Sequence, residues 1–534
     1  MTDRRATAAI SSLPEFFMKS SHLFRSLLAV ALLAALPHVV NAAESPAPAG
    51  TAKSPSLILH GNLEGKDNQT YRLVPFTVPQ GTSRITVQFD YTGHDDEHTT
   101  IDLGLLGPNG FSGQGGFRGW SGGSKHLFTV SATDATPSYL PGPIDPGHWN
   151  LLLGIPNIRK ASHAQYTAKI WFGHADDPAW EPVVLNPPLR DTAGWYRGDL
   201  HMHTAHSDAS CPSQSGKPVP CPLFLTVEAA VKQGLDFIAI TDHNTVSQAN
   251  AMRALQPYFD QLLLIPSREI TTFSGHANLF GTTAPVDFRI DGKHVRDWNA
   301  LARQIAPLDG LLSINHPTRP SGEICMGCGW TAKPLIDMSK VQVIEIVNDG
   351  DAGTPFSGVP FWEQQLAKGY RLAGIGGSDN HDAMLTQPQI GSSLIGKPTT
   401  VVHAEALSMP AILAGIRAGH VFVDVEGSRD RLLEVHAQSD SQHVTMGDAM
   451  QIASGKTLHV DVHAVHVSKA KLIVLLDGKP FIPSLDTVIN KDDEHVGFDW
   501  HSDGRFHWLR AEIHDASGKP LLIGNPIYLN PARH

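Results

Sequence analysis

The chain has 534 residues, a formal net charge of −11 and 41% hydrophobic residues. This length exceeds what one hydrophobic core organises, so we expect two or three domains. The hydrophobic content is ordinary for a globular protein. The negative charge argues against a nucleic acid as partner, because the phosphate backbone requires a basic surface.

The beginning of the chain has the pattern of a signal peptide. A basic stretch precedes the apolar run 26–35, and small residues ending at Ala43 follow it. The run is too short to span a bilayer, so no stable membrane span is expected. We expect residues 1–43 to direct export to the periplasm or the medium, and the Ala-, Pro- and Ser-rich residues 44–55 to form a disordered tether.

Residues 56–177 alternate apolar and polar side chains between Gly, Pro and Asn, which predicts an N-terminal β-sandwich. Within them, Gly119-Trp-Ser-Gly-Gly123 matches the Gly-x-Ser-x-Gly motif of serine hydrolases. That motif requires a strand before the serine and a helix after it. Here it lies in a glycine-rich loop of an all-β region, so we interpret Ser121 as a turn residue.

After a proline-rich linker, residues 193–425 contain repeated short apolar runs that lead into metal-type side chains. Such runs, bounded by turn residues, are typical of buried parallel strands. Amphipathic stretches near 226–233, 297–306, 361–369 and 407–418 predict outer helices. In a β/α barrel, functional side chains collect at the carboxyl ends of the strands.

The first of these runs leads into His201 and His203, with Asp208 close behind. On an extended strand both imidazoles point to the same side. Two imidazoles and a carboxylate suit Zn²⁺, Mn²⁺ or Fe²⁺. A histidine pair on a solvent-facing strand is the alternative for this motif alone. The repetition of the design in at least four further segments favours a metal site with more than one ion.

The ordered set His-x-His, Asp, Thr-Asp-His, Glu, His, His, Asp-x-His resembles the PHP (polymerase and histidinol phosphatase) superfamily. The phrases beginning at Gly194, Gly234 and Cys325 are similar to its carbaryl-hydrolase-like branch, whose members are exported and carry extra β domains. The resemblance implies a distorted (β/α)₇ barrel that holds two or three divalent metal ions. It implies nine ligands, with His206 as a neighbouring alternative to Asp208. They are His201, His203, Asp208, His243, Glu269, His276, His316, Asp379 and His381.

The expected fold class is therefore α/β, a TIM-like (β/α)₇ barrel over residues 193–425 between two β-sandwiches. The second sandwich is expected over residues 426–534, where short alternating strands return.

The function expected from this site is hydrolysis of a small-molecule ester, because clustered divalent ions lower the pKa of a bridging water. Glu269 is the expected bridging carboxylate and Asp242 the residue that orients an imidazole, and both are expected to serve catalysis. Arg268 and Arg319 are candidates for binding a phosphate; each is equally interpreted as the partner of a carboxylate. A phosphoester is the favoured substrate, a carboxylic or carbamate ester the alternative, and a non-catalytic exported metal-binding protein the alternative of another class.

The four cysteines, Cys211, Cys221, Cys325 and Cys328, flank the proposed ligands. In an oxidising compartment an even number of cysteines predicts disulfides, here with three possible pairings. A Cys₄ zinc site is the alternative.

Overall fold

The computed structural model describes residues 54–95, 97–113, 115–174, 186–323, 325–389, 392–481 and 487–532. The predicted signal peptide, 1–43, and all but the last two residues of the predicted tether, 44–55, lie outside the described residues. Within them, no helix is both long enough and apolar enough to cross a lipid bilayer.

The first part of the described chain forms two four-stranded antiparallel sheets. One has the order β1-β8-β3-β6 and the other β2-β7-β4-β5. The strands are β1 Leu57–Glu64, β2 Thr70–Val78, β3 Thr82–Tyr91, β4 Thr100–Leu106, β5 Phe117–Trp120, β6 Leu127–Ser131, β7 Gly147–Asn157 and β8 His163–His174. Their alternating side chains bury a shared core that includes Phe89, Phe128 and Trp149. This arrangement is that of a β-sandwich.

The central part contains eleven strands and five α-helices among the described residues. The strands are β9 Gly194–Asp199, β10 Ser210–Pro212, β11 Pro218–Pro220, β12 Phe237–Ile240, β13 Leu263–Thr272, β14 Gly275–Phe280, β15 Leu311–Ile314, β16 Val343–Asn348, β17 Ala373–Gly377, β18 Thr399–Ala404 and β19 Val421–Asp424. The helices are α1 Leu223–Gln233, α2 Gln248–Leu255, α3 Trp298–Ile305, α4 Val359–Leu366 and α5 Met409–Ala418.

Local sequence explains where several helices begin and end. The side chain of Asp297 accepts a hydrogen bond from the backbone of Ala300 at the start of α3, and Ser408 does the same for α5. Gly234 and Gly419 end α1 and α5 in the left-handed conformation that favours glycine. The four helices predicted from amphipathic stretches are confirmed; α2 has only a weak apolar pattern and was not predicted.

In the part of the central sheet from β17 to β9, six strands run parallel and one, β14, is reversed. β9, β12 and β13 are parallel neighbours, and so are β15, β16 and β17. β14 lies between these two groups and is antiparallel to both β13 and β15. The carboxyl ends of the six strands and the beginning of β14 therefore share one edge of the sheet.

The fold is a mixed α/β architecture, but the described residues form no closed barrel. β18 pairs with the first part of β9 and occupies the edge that β17 would need to close the ladder. Beyond its end, β17 contacts the segment after β9 through the isolated bridge between Met202 and Asn380 and through Ser378, and not through a strand ladder. The predicted (β/α)₇ repeat is also incomplete, because a tight turn rather than a helix joins β13 to β14.

Ten strands follow β19 in the described part of the chain. They are β20 Leu432–Ser439, β21 Gln442–Thr445, β22 Ala449–Met450, β23 Thr457–Val465, β24 Lys471–Leu476, β25 Lys479–Pro480, β26 Asp493–His501, β27 His507–His514, β28 Pro520–Gly524 and β29 Ile527–Leu529. Six of them, β22, β24, β25, β27, β28 and β29, continue the central sheet, and the other four form a sheet of their own. β19 pairs with β28, so hydrogen bonding runs from the central strands into the C-terminal ones. A separate sheet, β21-β20-β23-β26, buries its inner face in a core that also contains Val401 and Phe422.

Candidate metal centre

The nine predicted ligands meet at the shared edge of the central sheet. His201 and His203 follow β9, His243 follows β12, His316 follows β15, and Asp379 and His381 follow β17. Glu269 lies within β13, and His276 is the second residue of β14. Because β14 is reversed, its beginning lies beside the ends of its neighbours, which explains why His276 precedes its apolar run. Asp208 lies in the loop after β9.

Glu269 lies at the centre of this group. Its carboxylate is almost completely buried and faces the nitrogen atoms of five imidazoles at 2.8–3.7 Å. These imidazoles belong to His201, His203, His243, His276 and His316. The side-chain amide of Asn315 also donates a hydrogen bond of 3.0 Å to Glu269 Oε1. One carboxylate among five imidazoles is suited to bridge metal ions.

The other two carboxylates among the nine, those of Asp379 and Asp208, contact different pairs of histidines. Asp379 Oδ1 lies 3.3 Å from His201 Nε2 and 3.2 Å from His203 Nε2. Asp208 Oδ1 lies 3.5 Å from His243 Nε2 and 3.4 Å from His381 Nε2. The alternative to Asp208, His206, has its Nδ1 2.7 Å from Ser247 Oγ and is directed elsewhere.

The donor set fits divalent metal ions. Overlapping groups of three or four of these side chains place their donor atoms within 4.8 Å of one another, as in His201, Glu269 and His316. The buried Nε2 of His201 has no hydrogen-bond partner, although a buried polar atom normally has one. A metal ion would satisfy it, since imidazole nitrogen and carboxylate oxygen are common ligands of Zn²⁺, Mn²⁺ and Fe²⁺.

The backbone is strained at two of the proposed ligands. His316 and Asp379 have positive φ angles of +28° and +51°. Residues other than glycine rarely adopt this region, and such residues cluster at functional sites. Gly377 has a different role: a Cβ there would lie 2.4 Å from His201 Cβ and 2.7 Å from Glu345 Oε1, so the absence of a side chain lets β17 approach His201.

At the carboxylates of the centre, burial and the neighbouring imidazoles shift the pKa in opposite directions. Burial alone would raise the pKa of Glu269, but the neighbouring imidazoles, His201 first, hold it well below its usual range. Burial and His201 act in the same opposed way on Asp379, whose pKa also lies well below the usual range. Burial lowers the pKa of His203 to about 4, which keeps this imidazole neutral. At four of the other imidazoles burial would lower the pKa, but the neighbouring carboxylates raise it, so a metal ion bound there would displace protons from them. These imidazoles belong to His201, His243, His316 and His381.

Two buried carboxylates that were not predicted hold the ligands in place. Glu345, in the middle of β16, accepts from His201 Nδ1 at 2.9 Å and from the backbone N–H of His316 at 3.0 Å. Asp199, at the end of β9, accepts from the backbone of His201 and Ser378. The signal for Glu345 was a single carboxylate inside the apolar run Val343–Asn348, where an unpaired charge would be costly.

Asp242 does not orient an imidazole directly. Its buried carboxylate accepts from the backbone and hydroxyl of Thr204, both at 2.8 Å, and from Ser207 Oγ at 2.6 Å. It thus fixes the loop that carries Asp208. The side chain of Asp242 turns toward this loop and reaches an imidazole through Ser207, whose Oγ lies 3.5 Å from His203 Nδ1.

The two predicted substrate arginines are both engaged elsewhere. Arg268 is buried and donates to the backbone carbonyls of Thr282 and Ala284 at 3.2 and 2.6 Å. It neighbours Glu269 in β13, and successive side chains of a strand point to opposite faces. Arg319 donates to the carbonyl of Asn348 and lies 3.6 Å from Asp349.

The cysteines form two disulfides beside the centre, Cys211–Cys221 and Cys325–Cys328. The first joins β10 to β11, and the second closes the loop after His316. This pairing leaves no cysteine for the alternative Cys₄ zinc site. Ser121 lies far from this chemistry in the sandwich, where its hydroxyl contacts Leu103 O and Tyr139 Oη before a single helical turn, Gly122–Ser124.

Comparison with known proteins gives distant similarities. No model of a protein family matches the chain. It is 23% identical over 284 residues to gamma-glutamyl phosphate reductase from Rhodopseudomonas palustris (strain HaA2), over 51% of this chain. The match spans 62% of the length of that relative.

Two solved structures align with the chain at low TM-scores. One is a two-domain protein containing a predicted PHP-like metal-dependent phosphoesterase from Bacteroides vulgatus ATCC 8482, with TM-score 0.36 and 18% identity. That alignment covers 63% of this chain and 96% of the other. The second is a mutant of xylanase 10C from Cellvibrio japonicus in complex with xylopentaose, with TM-score 0.16 and 8% identity over 61% of this chain and 75% of the other.

Proposed function

We propose that the protein is an exported metal-dependent hydrolase of the PHP superfamily that cleaves ester bonds, with phosphoesters as the first substrate class. The observation that carries the proposal is the position of Glu269, a buried carboxylate within 3.7 Å of five imidazole nitrogens. With Asp208, Asp379 and His381 beside it, the group has nine candidate ligands, more than the roughly four to six that one ion uses. Two or three ions there would supply Lewis-acid activation and a water of lowered pKa.

The substrate approaches from the side of Asp208 and His381. Their side chains are 58% and 38% exposed, whereas those of His201, His203 and Glu269 are at most 1% exposed. The buried residues fix the geometry of the centre, and the exposed pair forms its open side. Asp242 accepts hydrogen bonds from Thr204 and Ser207, and these fix the loop that carries Asp208 at the open side.

A carboxylic or carbamate ester is the second candidate substrate, and the surroundings of the open side favour it. The guanidinium of Arg319 is already engaged by Asn348 and Asp349, which weakens its use as a phosphate clamp. Large apolar side chains next to the ligand segments are exposed by 46–75%. They are Phe273, Met326, Phe356 and Met384. Such a rim suits a substrate with an apolar aryl or alkyl group.

The test is a turnover panel of aryl phosphates, aryl phosphodiesters and aryl carbamates on protein loaded with Zn²⁺ or Mn²⁺, with metal content measured on the same sample. We expect more than one ion per chain and turnover of at least one ester class. The Ser121→Ala variant is the matched control and should retain turnover. Bound metal without turnover of any ester would instead favour a non-catalytic metal-binding protein, and at most one bound ion would contradict the multinuclear centre.

A further inference from the structure

The two disulfides beside the centre differ in exposure. Cys211 and Cys221 are buried, with 2% and 0% of their surface exposed. Cys325 and Cys328 are both partly exposed. Because thiol–disulfide exchange requires access to a sulfur atom, a dithiol reductant reaches Cys325–Cys328 more readily.

The loop closed by Cys325–Cys328 contacts two proposed ligands through its backbone. The carbonyl of Met326 accepts from His276 Nε2 at 3.2 Å, and the carbonyl of Cys328 accepts from His316 Nδ1 at 2.8 Å. A carbonyl only accepts, so each contact fixes a proton on that nitrogen. The other nitrogens, His276 Nδ1 and His316 Nε2, face Glu269 Oε1 at 3.4 and 3.3 Å.

Gly327 lets this loop lie directly against the centre. Its φ is +88°, and a Cβ there would lie 1.9 Å from the carbonyl oxygen of Thr272 and 3.1 Å from His276 Nε2. Any other residue would push the loop away from β13 and β14. The sulfur atoms are therefore held beside the imidazoles by close backbone packing.

Cys328 is near enough to these imidazoles to share a metal ion with them. Its Sγ and one nitrogen each of His276 and His316 lie within 4.8 Å of one another. A thiolate and two imidazoles form a donor set for a thiophilic ion such as Zn²⁺ or Co²⁺. A disulfide sulfur lacks the thiolate charge, so the set is incomplete while Cys325–Cys328 is oxidised.

We propose that reduction of Cys325–Cys328 creates a Cys/His₂ metal site formed by Cys328, His276 and His316. One thiolate of a dithiol reductant attacks a sulfur of the disulfide and releases the other cysteine as a thiolate. The second thiol of the reductant closes its own disulfide and releases the remaining cysteine, so two electrons pass to the protein. Cys328 gives its proton to solvent when it binds the ion. The inference rests on the proposed metal centre but not on hydrolysis.

The experiment uses the full chain with Co²⁺ as the probe, because a thiolate bound to Co²⁺ adds a near-ultraviolet charge-transfer absorption that imidazole and carboxylate ligands lack. The protein is treated with dithiothreitol, freed of it under argon and titrated with Co²⁺. We expect this absorption after reduction and not before it. Cys325→Ser leaves Cys328 unpaired and should give the absorption without reductant, whereas Cys328→Ser should not give it in either state.

A double variant, Cys211→Ser with Cys221→Ser, lacks the other disulfide and controls for an effect of its reduction. It should respond to reduction like the unchanged protein. Visible cobalt bands without the near-ultraviolet absorption, in both the reduced protein and Cys325→Ser, would overturn the inference and leave the metal centre standing. The same absorption in Cys328→Ser would also overturn it, because another sulfur would be the ligand. No cobalt bands in any form would overturn both the inference and the proposed metal centre.

Discussion

Glu269 gives the most direct test at the scale of single residues. Glu269→Gln keeps the size of the side chain but removes the charge that faces five imidazoles. We expect turnover to fall on the order of 10²-fold or more, comparable to the loss of a strong electrostatic group, with fewer metal ions bound. The fold should persist, because apolar strands such as Phe237–Ile240 form the core.

Steady-state kinetics, elemental analysis and circular dichroism on the same preparations measure these three effects. Ser121→Ala, in the sandwich, is the control and should be as active as the unchanged protein. An active Glu269→Gln together with an inactive, folded Ser121→Ala would reverse the assignment and favour a serine hydrolase.

The residues of the centre could be predicted because their types and order carry the signal, but their supports could not. All nine predicted ligands meet at one edge of the sheet: seven lie at or just after the ends of parallel strands, His276 lies at the beginning of the reversed β14, and Asp208 lies in the loop after β9. Glu345 was missed because a carboxylate inside an apolar strand has no motif. The hydrogen bonds of Asp242 to Thr204 and Ser207 could not be predicted, because a sequence does not state which way a side chain turns.

At the scale of elements, β20, β23 and β26 show where histidines outside the centre are used. Cross-strand contacts pair His459 with Asp499 at 2.6 Å and His495 with Asp461 at 2.7 Å. His463 lies between Glu434 and Asp493, at 2.8 and 2.9 Å. Opposite charges facing each other across strands stabilise a sheet modestly.

The pairing of His463 predicts a stability that depends on pH. Burial alone would lower the pKa of His463, but hydrogen bonds to Glu434 and Asp493 raise it above the usual value of 6.5. A histidine whose pKa is higher in the folded than in the unfolded state stabilises the fold at pH values below its unfolded-state pKa. This stabilisation is lost as the pH rises through its folded-state pKa. His463→Gln should therefore lower the melting temperature more at pH 6 than at pH 9.

Differential scanning calorimetry of the unchanged protein and the variant at both pH values makes this comparison. His443→Gln, on exposed strand β21, is the matched control and should show a much smaller difference between the two pH values. Equal losses for His463→Gln at pH 6 and pH 9 would mean that the contact does not depend on the imidazolium charge.

The elements themselves were only partly predictable. Apolar runs and amphipathic stretches indicated most strands and four helices of the central part. The reversed direction of β14 was not indicated, because a short apolar run has the same pattern in either direction. The pairing of β18 with β9, which prevents closure, joins residues about 200 positions apart in the sequence, and local patterns carry no information about such a pairing.

At the scale of the whole molecule, one buried carboxylate, that of Asp134, contacts both the sandwich and the central part. Asp134, which is completely buried, pairs with Arg84 of β3 and lies 3.1 Å from Arg253 of α2. Its carboxylate also accepts from Thr283 Oγ1 at 2.6 Å. Burial would raise the pKa of Asp134, but the two guanidinium groups hold it well below its usual range. The carboxylate is therefore charged at neutral pH.

Asp134→Asn should destabilise the protein by about 3–5 kcal/mol, because it removes the buried negative charge that faces the guanidinium groups of Arg84 and Arg253. Urea denaturation followed by tryptophan fluorescence measures this loss. Asp287→Asn, in an exposed pair with Arg289, is the control and should change stability little. A loss for Asp134→Asn as small as that of the control would show that this pair does not hold the two parts together.

The ladder between β19 and β28 has a consequence for shortening the chain. β28 covers one side of β19, from Phe422 to Asp424, while β18 covers the other. A chain cut after residue 425 would keep every proposed ligand yet leave β19 as a bare edge strand with unsatisfied N–H and C=O groups. Exposed edges of this kind recruit strands from other molecules, so the shortened protein should self-associate and precipitate, as light scattering would measure, even though its proposed ligands are intact.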